Sequence, residues 1–108
     1  KIEGVPFGVT DWATVPETTH PGTSGVGLWR TVQAGNVRIR MVTYSPGYLA
    51  DHWCSRGHVL FVLDGVLLTE VQGGGVHTLT PGMSYQVSDD IAPHRSSTET
   101  GARLFIVD

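Results

Sequence analysis

The stretch PGYLADHWCSRGHVLFVLDG, residues 46–65, combines turn signals, reactive side chains and a strand in one short segment. It begins with a Pro-Gly pair and ends with Asp64-Gly65, and two histidines and the only cysteine of the chain lie between them. From Val59 to Leu63, directly after His58, the residues are apolar and include β-branched and aromatic types, which is typical of a buried strand. The segment therefore predicts a turn with candidate metal ligands that leads directly into a core strand.

The residues before this stretch predict a β-hairpin. Between 37 and 44 the side chains alternate with a period of two, as expected for a strand with two different faces. The segment Leu28-Trp29-Arg30-Thr31-Val32 precedes them, and Gly35-Asn36 between the two segments is a two-residue turn signal. We expect two antiparallel strands joined at Gly35-Asn36.

The residues after it continue as short strands separated by turns. Asp64-Gly65 stands between two apolar runs and predicts a second hairpin. Gly73-Gly74-Gly75 marks a further turn, and a last strand is expected near 104–107. No segment carries apolar residues at helical spacing. Short strands without covering helices predict an all-β sandwich or a small barrel.

Length and composition fit one folded domain. The chain has 108 residues, of which 40% are hydrophobic and 16% charged, and this balance argues against disorder. We expect a single domain over residues 1–108, with an irregular N-terminal arm and one short strand over 1–27 and a barrel over 28–108.

Charge and targeting signals exclude several partners. The formal net charge is −3 and no run of lysine or arginine is present, so there is no electrostatic footprint for nucleic acid or an acidic membrane. No signal-like segment and no membrane-spanning stretch is found. One cysteine cannot form an intramolecular disulfide, and a cytoplasmic location is expected.

Four residues form the candidate metal-binding set. His52 and Cys54 are two positions apart, so their side chains share one face of an extended segment. His58 begins the next strand and can face the same interior. His94 lies far along the chain, after a turn, where another strand re-enters the sheet. Only a specific fold would bring all four together.

The order of these residues resembles the first sequence motif of the cupin superfamily. That motif consists of a Pro-Gly turn, two histidines separated by one residue, a glutamate and a closing glycine. In this frame Pro46-Gly47 is the turn, His52 takes the first histidine position and Gly65 is the closing glycine. Cys54 stands where the second histidine is usual, and His58 stands where the glutamate is usual.

A later segment resembles the second cupin motif. Residues 81–87 begin with a Pro-Gly pair and are followed by a turn and by His94, which takes the position of that motif's metal-binding histidine. The run Asp51-His52-Trp53-Cys54 is similar to a small group of single-domain cupins. The resemblance implies a cupin-type jelly-roll β-barrel with a metal site at its mouth. The implied ligands are His52, Cys54, His58 and His94.

The donor set favours particular metals. Three imidazoles and one thiolate favour a divalent transition metal such as zinc, iron or copper over magnesium or calcium. A single thiolate leaves a net positive site, which suits an anionic ligand or a bound hydroxide. If all four residues bind, a tetrahedral ion is saturated. If Cys54 stays free, three histidines leave an open face for a substrate.

The same residues also have simpler interpretations. The histidines are suited to capping turns without any metal, and Cys54 is either an inert buried group or a candidate nucleophile. Arg38 and Arg40 lie on the outer face, the commoner arrangement for arginine, or point inward toward an anionic ligand. Trp53 is expected to point away from its two neighbouring ligands.

Three functional hypotheses follow. The first is a metal-dependent enzyme that acts on an unidentified small molecule. The alternative is a non-catalytic module that binds or senses a small molecule or a metal, since no residue outside the ligand set is a committed general acid or base. The third is a structural barrel whose arm adds a strand to a neighbour. We expect a homodimer, and we expect His20 and His77 at the surface, outside the site.

Overall fold

The computed structural model describes residues 1–108, and its secondary structure is almost entirely β. The all-β prediction is therefore confirmed. A 3-10 turn at Trp12–Thr14 is the only helical element. The strands are β1 Glu17–Pro21, β2 Val26–Ala34, β3 Val37–Tyr44, β4 His58–Gly65, β5 Leu67–Val71, β6 Gly75–Leu79, β7 Ser84–Val87, β8 His94–Ser97 and β9 Ala102–Val107.

Two antiparallel sheets enclose one core. The larger sheet has the strand order β1-β2-β3-β9-β4-β7, and the smaller sheet has the order β6-β5-β8. Buried and more exposed residues alternate along β4 and β9, so each strand has an inner and an outer face. Leu60, Val62 and Leu104 of the larger sheet meet Leu67 and Leu79 of the smaller one in a single buried cluster. Burial of these side chains is the main driving force for folding.

The hairpin predicted at Gly35-Asn36 is confirmed. β2 and β3 pair along their whole length around this two-residue turn. β2 begins at Val26, slightly earlier than predicted. The segment 1–27 contains β1, which pairs with β2 of the same chain and forms one edge of the larger sheet.

The hairpin predicted at Asp64-Gly65 is wrong. β4 pairs with β7 and β9 in the larger sheet, whereas β5 pairs with β6 and β8 in the smaller one. The chain therefore changes sheets just after Gly65. The pairing of β4 with β9 shifts in register between Val62 and Asp64, an irregularity that bends the strand before the crossing. An Asp-Gly pair suits such a crossing as well as it suits a hairpin, so the local signal did not distinguish them.

Gly65 lies at the crossing because no side chain fits there. Its φ angle is +78°, in the left-handed region that glycine adopts without strain. A Cβ atom on Gly65 would overlap the carbonyl oxygen of Gly101. The closing glycine of the motif thus lets β4 and β9 approach closely where the chain leaves the larger sheet.

The predicted strand starts at the two histidines are confirmed. β4 begins at His58 and β8 begins at His94. Because β4 belongs to the larger sheet and β8 to the smaller, the two residues approach each other from different sheets. The predicted turn at Gly73-Gly74-Gly75 lies where β5 leads into β6 and is confirmed as well. No helix of the protein is long and apolar enough to cross a bilayer.

We predict that Leu104→Ala lowers the free energy of unfolding by about 3 kcal/mol, because Leu104 is fully buried and its truncation leaves a cavity. Leu63→Ala is the matched control. Leu63 lies on the outer face of β4 and is 38% exposed, so its truncation is expected to cost less than about 1 kcal/mol. Urea denaturation followed by tryptophan fluorescence measures both variants. Equal losses would contradict the division of these strands into inner and outer faces.

Candidate metal centre

Three of the four predicted metal ligands lie together. The ligand atoms of Cys54, His58 and His94 are all within 4.8 Å of one another. His94 is buried, with 3% of its surface exposed, and the other two residues are half-buried. Two imidazoles and one thiol at these separations form a group that is able to hold a metal ion.

Backbone pairing holds Cys54 against His94. The amide of Cys54 donates to the carbonyl of His94, with 2.7 Å between N and O, and the amide of His94 donates to the carbonyl of Cys54 at 3.0 Å. Two residues that exchange both hydrogen bonds lie directly opposite each other, and their side chains share a face. The loop before β4 is thereby attached to the first residue of β8, and both side chains face the same space.

His52 lies outside this group. Residues 51 and 52 form a bend, so the alternation that would put His52 on the same face as Cys54 does not apply. The His52 side chain is 72% exposed, and its Nδ1 lies 2.6 Å from Oδ1 of Asp51. His52 still lines the cavity beside the three ligand residues. It therefore lies at the solvent side of the site, while His94 lies deepest.

When both imidazoles are neutral, protons alone cannot satisfy their contacts. Nδ1 of His94 lies 2.9 Å from the carbonyl oxygen of Ala92, so it carries the proton and Nε2 has a lone pair. Nε2 of His58 lies 2.9 Å from this Nε2. If His58 is protonated on Nε2, its unpartnered Nδ1 directs a lone pair at Oδ2 of Asp108, 3.6 Å away. If His58 is protonated on Nδ1, the Nε2 lone pairs of His58 and His94 face each other. A cation bound by both Nε2 atoms would satisfy both contacts, with His58 then protonated on Nδ1 toward Asp108.

His58 is held in its neutral form. Burial is the largest cause that lowers the pKa of His58, to about 4, and the neighbouring His94 lowers it further, whereas the carboxylate of Asp108 acts in the opposite direction. The neutral imidazole is the form that binds a metal ion. His58 can therefore bind an ion at neutral pH without first releasing a proton.

A tyrosine hydroxyl lies at the same point. Oη of Tyr85 is 2.9 Å from Nε2 of His58, because β7 pairs with β4 and sets Tyr85 opposite Leu60. Burial raises the pKa of Tyr85 well above its usual range. The hydroxyl keeps its proton at neutral pH and is available as a hydrogen-bond donor beside the histidine pair.

These groups line a cavity of about 460 Å³, a size typical of sites for small molecules. Much of its wall is aromatic, and Tyr44 and Tyr48 stack there with ring centroids 4.0 Å apart. Trp53 was expected to point away but lines the cavity, with the guanidinium of Arg95 at 4.8 Å from its ring centre. The expectation was wrong because the bend at 51–52 breaks the alternation of side chains.

Arg38 and Arg40 point into the cavity and not to the outer face. On β3 they continue, two positions at a time, the inner face that Val42 and Tyr44 occupy in the core. Arg40 is 5% exposed. At the end of the sandwich this inner face therefore changes from apolar to charged. The sequence signal was that Arg38 and Arg40 occupy the same alternate positions of β3 as the buried Val42 and Tyr44.

Sequence reasoning missed Asp108. Its side chain is 1% exposed and contacts both Arg38 and Arg40. Leu104 and Ile106 are buried on β9, and Asp108 follows them at the same spacing of two. An acidic residue that continues an apolar alternation was therefore the available signal.

His20 is only partly exposed, but it does not line the cavity, as predicted. Its ring stacks on Trp29 with centroids 3.7 Å apart, and the guanidinium of Arg40 lies 4.4 Å from the centre of the same indole. β1 brings His20 to this neighbour from a different strand, and spacing along the chain cannot reveal such a contact. His77 is exposed, as predicted.

Several solved structures are similar to this chain. An RmlC-like cupin from Shewanella frigidimarina is 15% identical, and the match covers 96% of this chain and 91% of that one with a TM-score of 0.77. Ectoine synthase from P. lautus is 18% identical over 94% of this chain and 76% of its own, with a TM-score of 0.73. A sugar phosphate isomerase from a cupin superfamily, from Silicibacter pomeroyi, is 14% identical over 93% and 74%, with a TM-score of 0.70. No family model and no curated protein matches the sequence.

The lowered pKa of His58 predicts a pH-dependent stability of the metal-free protein. The unfolded chain binds this proton near pH 6.5, but the folded protein binds it only near pH 4, so the free energy of unfolding falls as the pH drops between these values. The full effect is on the order of 3 kcal/mol. Thermal unfolding after dialysis against EDTA, followed by circular dichroism from pH 7 to 4, measures it.

His58→Gln is expected to flatten this pH profile. His77→Gln is the control, because His77 is exposed and its loss is expected to leave the profile unchanged. Identical profiles for the wild type and His58→Gln would show that His58 is not held neutral by the fold.

Proposed function

The chain has the cupin fold, and we propose that it is a metal-dependent enzyme that acts on a small molecule in the cavity. The ion of this proposal is zinc, iron or copper, bound by Cys54, His58 and His94. The fold alone does not indicate a reaction, because one fold hosts many chemistries. The observation that carries the proposal is the pair of imidazole Nε2 atoms, 2.9 Å apart, beside the cysteine.

Three protein ligands leave room for a substrate. A tetrahedral ion held by one thiolate and two imidazoles keeps one position open, which is typical of catalytic and not of structural zinc sites. When bound, the ion would polarise a substrate oxygen or lower the pKa of a water molecule. The neighbouring cavity offers the volume that a small substrate needs.

Residues of this chain orient the proposed ligands. The carbonyl of Ala92 accepts the Nδ1 proton of His94, and Asp108 faces Nδ1 of His58, so the two Nε2 atoms face each other in the group that includes Cys54. In this proposal the hydroxyl of Tyr85 donates a hydrogen bond to a substrate oxygen near the histidine pair. Tyr85 flanks the second motif, where the sequence indicated only a possible wall residue, and in this proposal it is a candidate catalytic residue.

Two of the similar structures are enzymes, an ectoine synthase and a sugar phosphate isomerase. They support an enzymatic role for the same fold. At 18% and 14% identity they carry no argument about the substrate or the reaction of this chain.

The competing proposal is a module that binds or senses a small molecule without turnover. Asp108 is the only carboxylate that lines the cavity. Although burial acts to raise it, the hydrogen bond to Arg38 and the charge of Arg40 hold the pKa of Asp108 below its usual range. A carboxylate held ionised in this way is a weak general base. The lack of an effective carboxylate base in the cavity favours the non-catalytic binding module. Turnover of a substrate by the metal-loaded protein would exclude that module.

We predict about one equivalent of zinc, iron or copper in tag-free protein purified without added metal, as measured by multi-element analysis. Cys54→Ser and His94→Ala are expected to lose most of it, because each removes one of three ligands. His52→Ala is expected to retain it, because that imidazole is exposed and outside the group. Circular dichroism confirms that each variant is folded.

The outcomes separate the possible ligand sets. Loss of metal in His52→Ala would show that all four predicted residues bind the ion. Retention in Cys54→Ser with loss in His94→Ala would support a centre held by imidazoles. A wild type that stays metal-free after reconstitution would contradict the metal-dependent enzyme and leave the binding module.

Cobalt(II) loading tests Cys54 directly. A thiolate ligand to cobalt gives an intense near-ultraviolet charge-transfer band that imidazole ligands do not give. We predict this band in the wild type and in His52→Ala, and its absence in cobalt-loaded Cys54→Ser. A wild-type complex without the band would show that Cys54 is not a ligand.

A further inference from the structure

Three arginines surround one carboxylate beside the proposed metal site. Arg38 makes a bidentate contact with Asp108, with Nε 2.8 Å from Oδ1 and Nη2 2.9 Å from Oδ2. Nη2 of Arg40 lies 3.0 Å from Oδ2, and Nε of Arg56 lies 3.3 Å from the same oxygen. We call Arg38, Arg40 and Arg56 the arginine cluster.

The arginine cluster has an excess of positive charge. Three guanidinium groups oppose one carboxylate, and arginine does not release its proton in proteins. The Arg40 side chain is only 7% exposed, so water compensates little of its charge. Burial lowers the pKa of Arg40, which is the expected mark of a charge that has lost its water. A buried charge of this kind is stabilised by a further anion.

Arg95 in the same cavity provides a contrast. Its Nη2 lies 2.9 Å from Oε1 of Glu70, so it has a carboxylate of its own. The charge of Arg95 is therefore balanced outside the cavity. The arginine cluster is the part of the cavity that has positive charge left for a ligand.

One imidazole ring connects the arginine cluster to the metal site. Nδ1 of His58 lies 3.6 Å from Oδ2 of Asp108, and Nε2 of the same ring faces His94. The cluster and the proposed ligands thus lie on two sides of a single side chain, and both line the cavity. A small molecule can contact both at once. The indole of Trp29, which packs on Arg40, forms the adjacent wall.

We propose that the cavity binds a small organic anion, with its oxyanion head group on the arginine cluster and its other end toward the metal site. The head group is a carboxylate or a phosphate, since guanidinium groups pair with both in a bidentate manner. This inference deepens the proposed function and rests on it only for the orientation of the ligand. The arginine cluster binds the head group whether or not an ion is present.

Titration calorimetry with three probes tests the proposal. The probes are malonate, inorganic phosphate and malonamide, the neutral isostere of malonate. We expect at least one of the two anions to bind and malonamide not to bind. The anion that binds more tightly distinguishes a carboxylate site from a phosphate site. Raising the salt concentration weakens the binding, because the contact is between charges.

Two arginine variants form a matched pair. Arg56→Gln is expected to weaken binding of the preferred anion about fivefold or more, because a charge-assisted contact is lost. Arg103→Gln makes the same change of charge at an exposed residue that does not line the cavity, and is expected to leave the dissociation constant within about twofold. Equal weakening in the two variants overturns the proposal, because only net charge would then matter.

A change at Asp108 is expected to act in the opposite direction. Asp108→Asn keeps the shape of the side chain but removes the internal anion that competes for the arginine cluster. Binding of the preferred anion is therefore expected to tighten about threefold or more. Weaker binding by folded Asp108→Asn overturns the proposed competition. If this variant does not fold, the comparison of Arg56→Gln with Arg103→Gln decides.

Repeating each titration after metal removal with EDTA separates this inference from the proposed function. Arginine-dependent binding that persists without metal supports the inference even if the native protein contains no metal. A metal-containing protein that binds neither anion overturns the inference and leaves the metal proposal intact. Binding that disappears with the metal and is unchanged by Arg56→Gln assigns the anion to the ion, and it also overturns the arginine site.

Discussion

The crossing of the chain between its two sheets at Gly65 is the constraint on which the remaining structure depends. Gly65 lies so close to the carbonyl of Gly101 that no side chain fits between them. After the crossing, β5, β6 and β8 build the second sheet and close the core against the first. His58 and His94 face each other because they belong to different sheets. The glycine is therefore a backbone requirement of the site, although it contacts no ligand residue.

The proposed ligands are positioned by two different means. His58 and His94 are the first residues of strands, so the sheets determine their places. Cys54 belongs to a loop and obtains its place from two backbone hydrogen bonds to His94. These hydrogen bonds hold the loop against the first residue of β8, and the neighbouring bend leaves the His52 side chain exposed to solvent.

The carboxylate of Asp108 interacts both with the arginines of the cavity and with a proposed metal ligand. It offsets part of the charge of the arginine cluster and also faces Nδ1 of His58. The arginines keep it ionised against the effect of burial. A carboxylate beside the outer nitrogen of a histidine favours the tautomer that presents the other nitrogen to a metal. The proposed anion site and the proposed metal site therefore share a single side chain, that of Asp108.

Local sequence patterns were sufficient to predict the all-β class, the hairpin at Gly35-Asn36 and the strands that begin at His58 and His94. Alternation of side chains and turn chemistry act over a few residues, so they can be read from the sequence directly. The Asp64-Gly65 signal failed because a left-handed glycine serves a hairpin and a sheet crossing equally well. The folded chain was needed to show that Arg40 and Asp108, 68 positions apart, meet in the cavity and that His52 stays outside the group. Such contacts depend on which strands become neighbours, and that choice follows from burial of the whole core and not from any local segment.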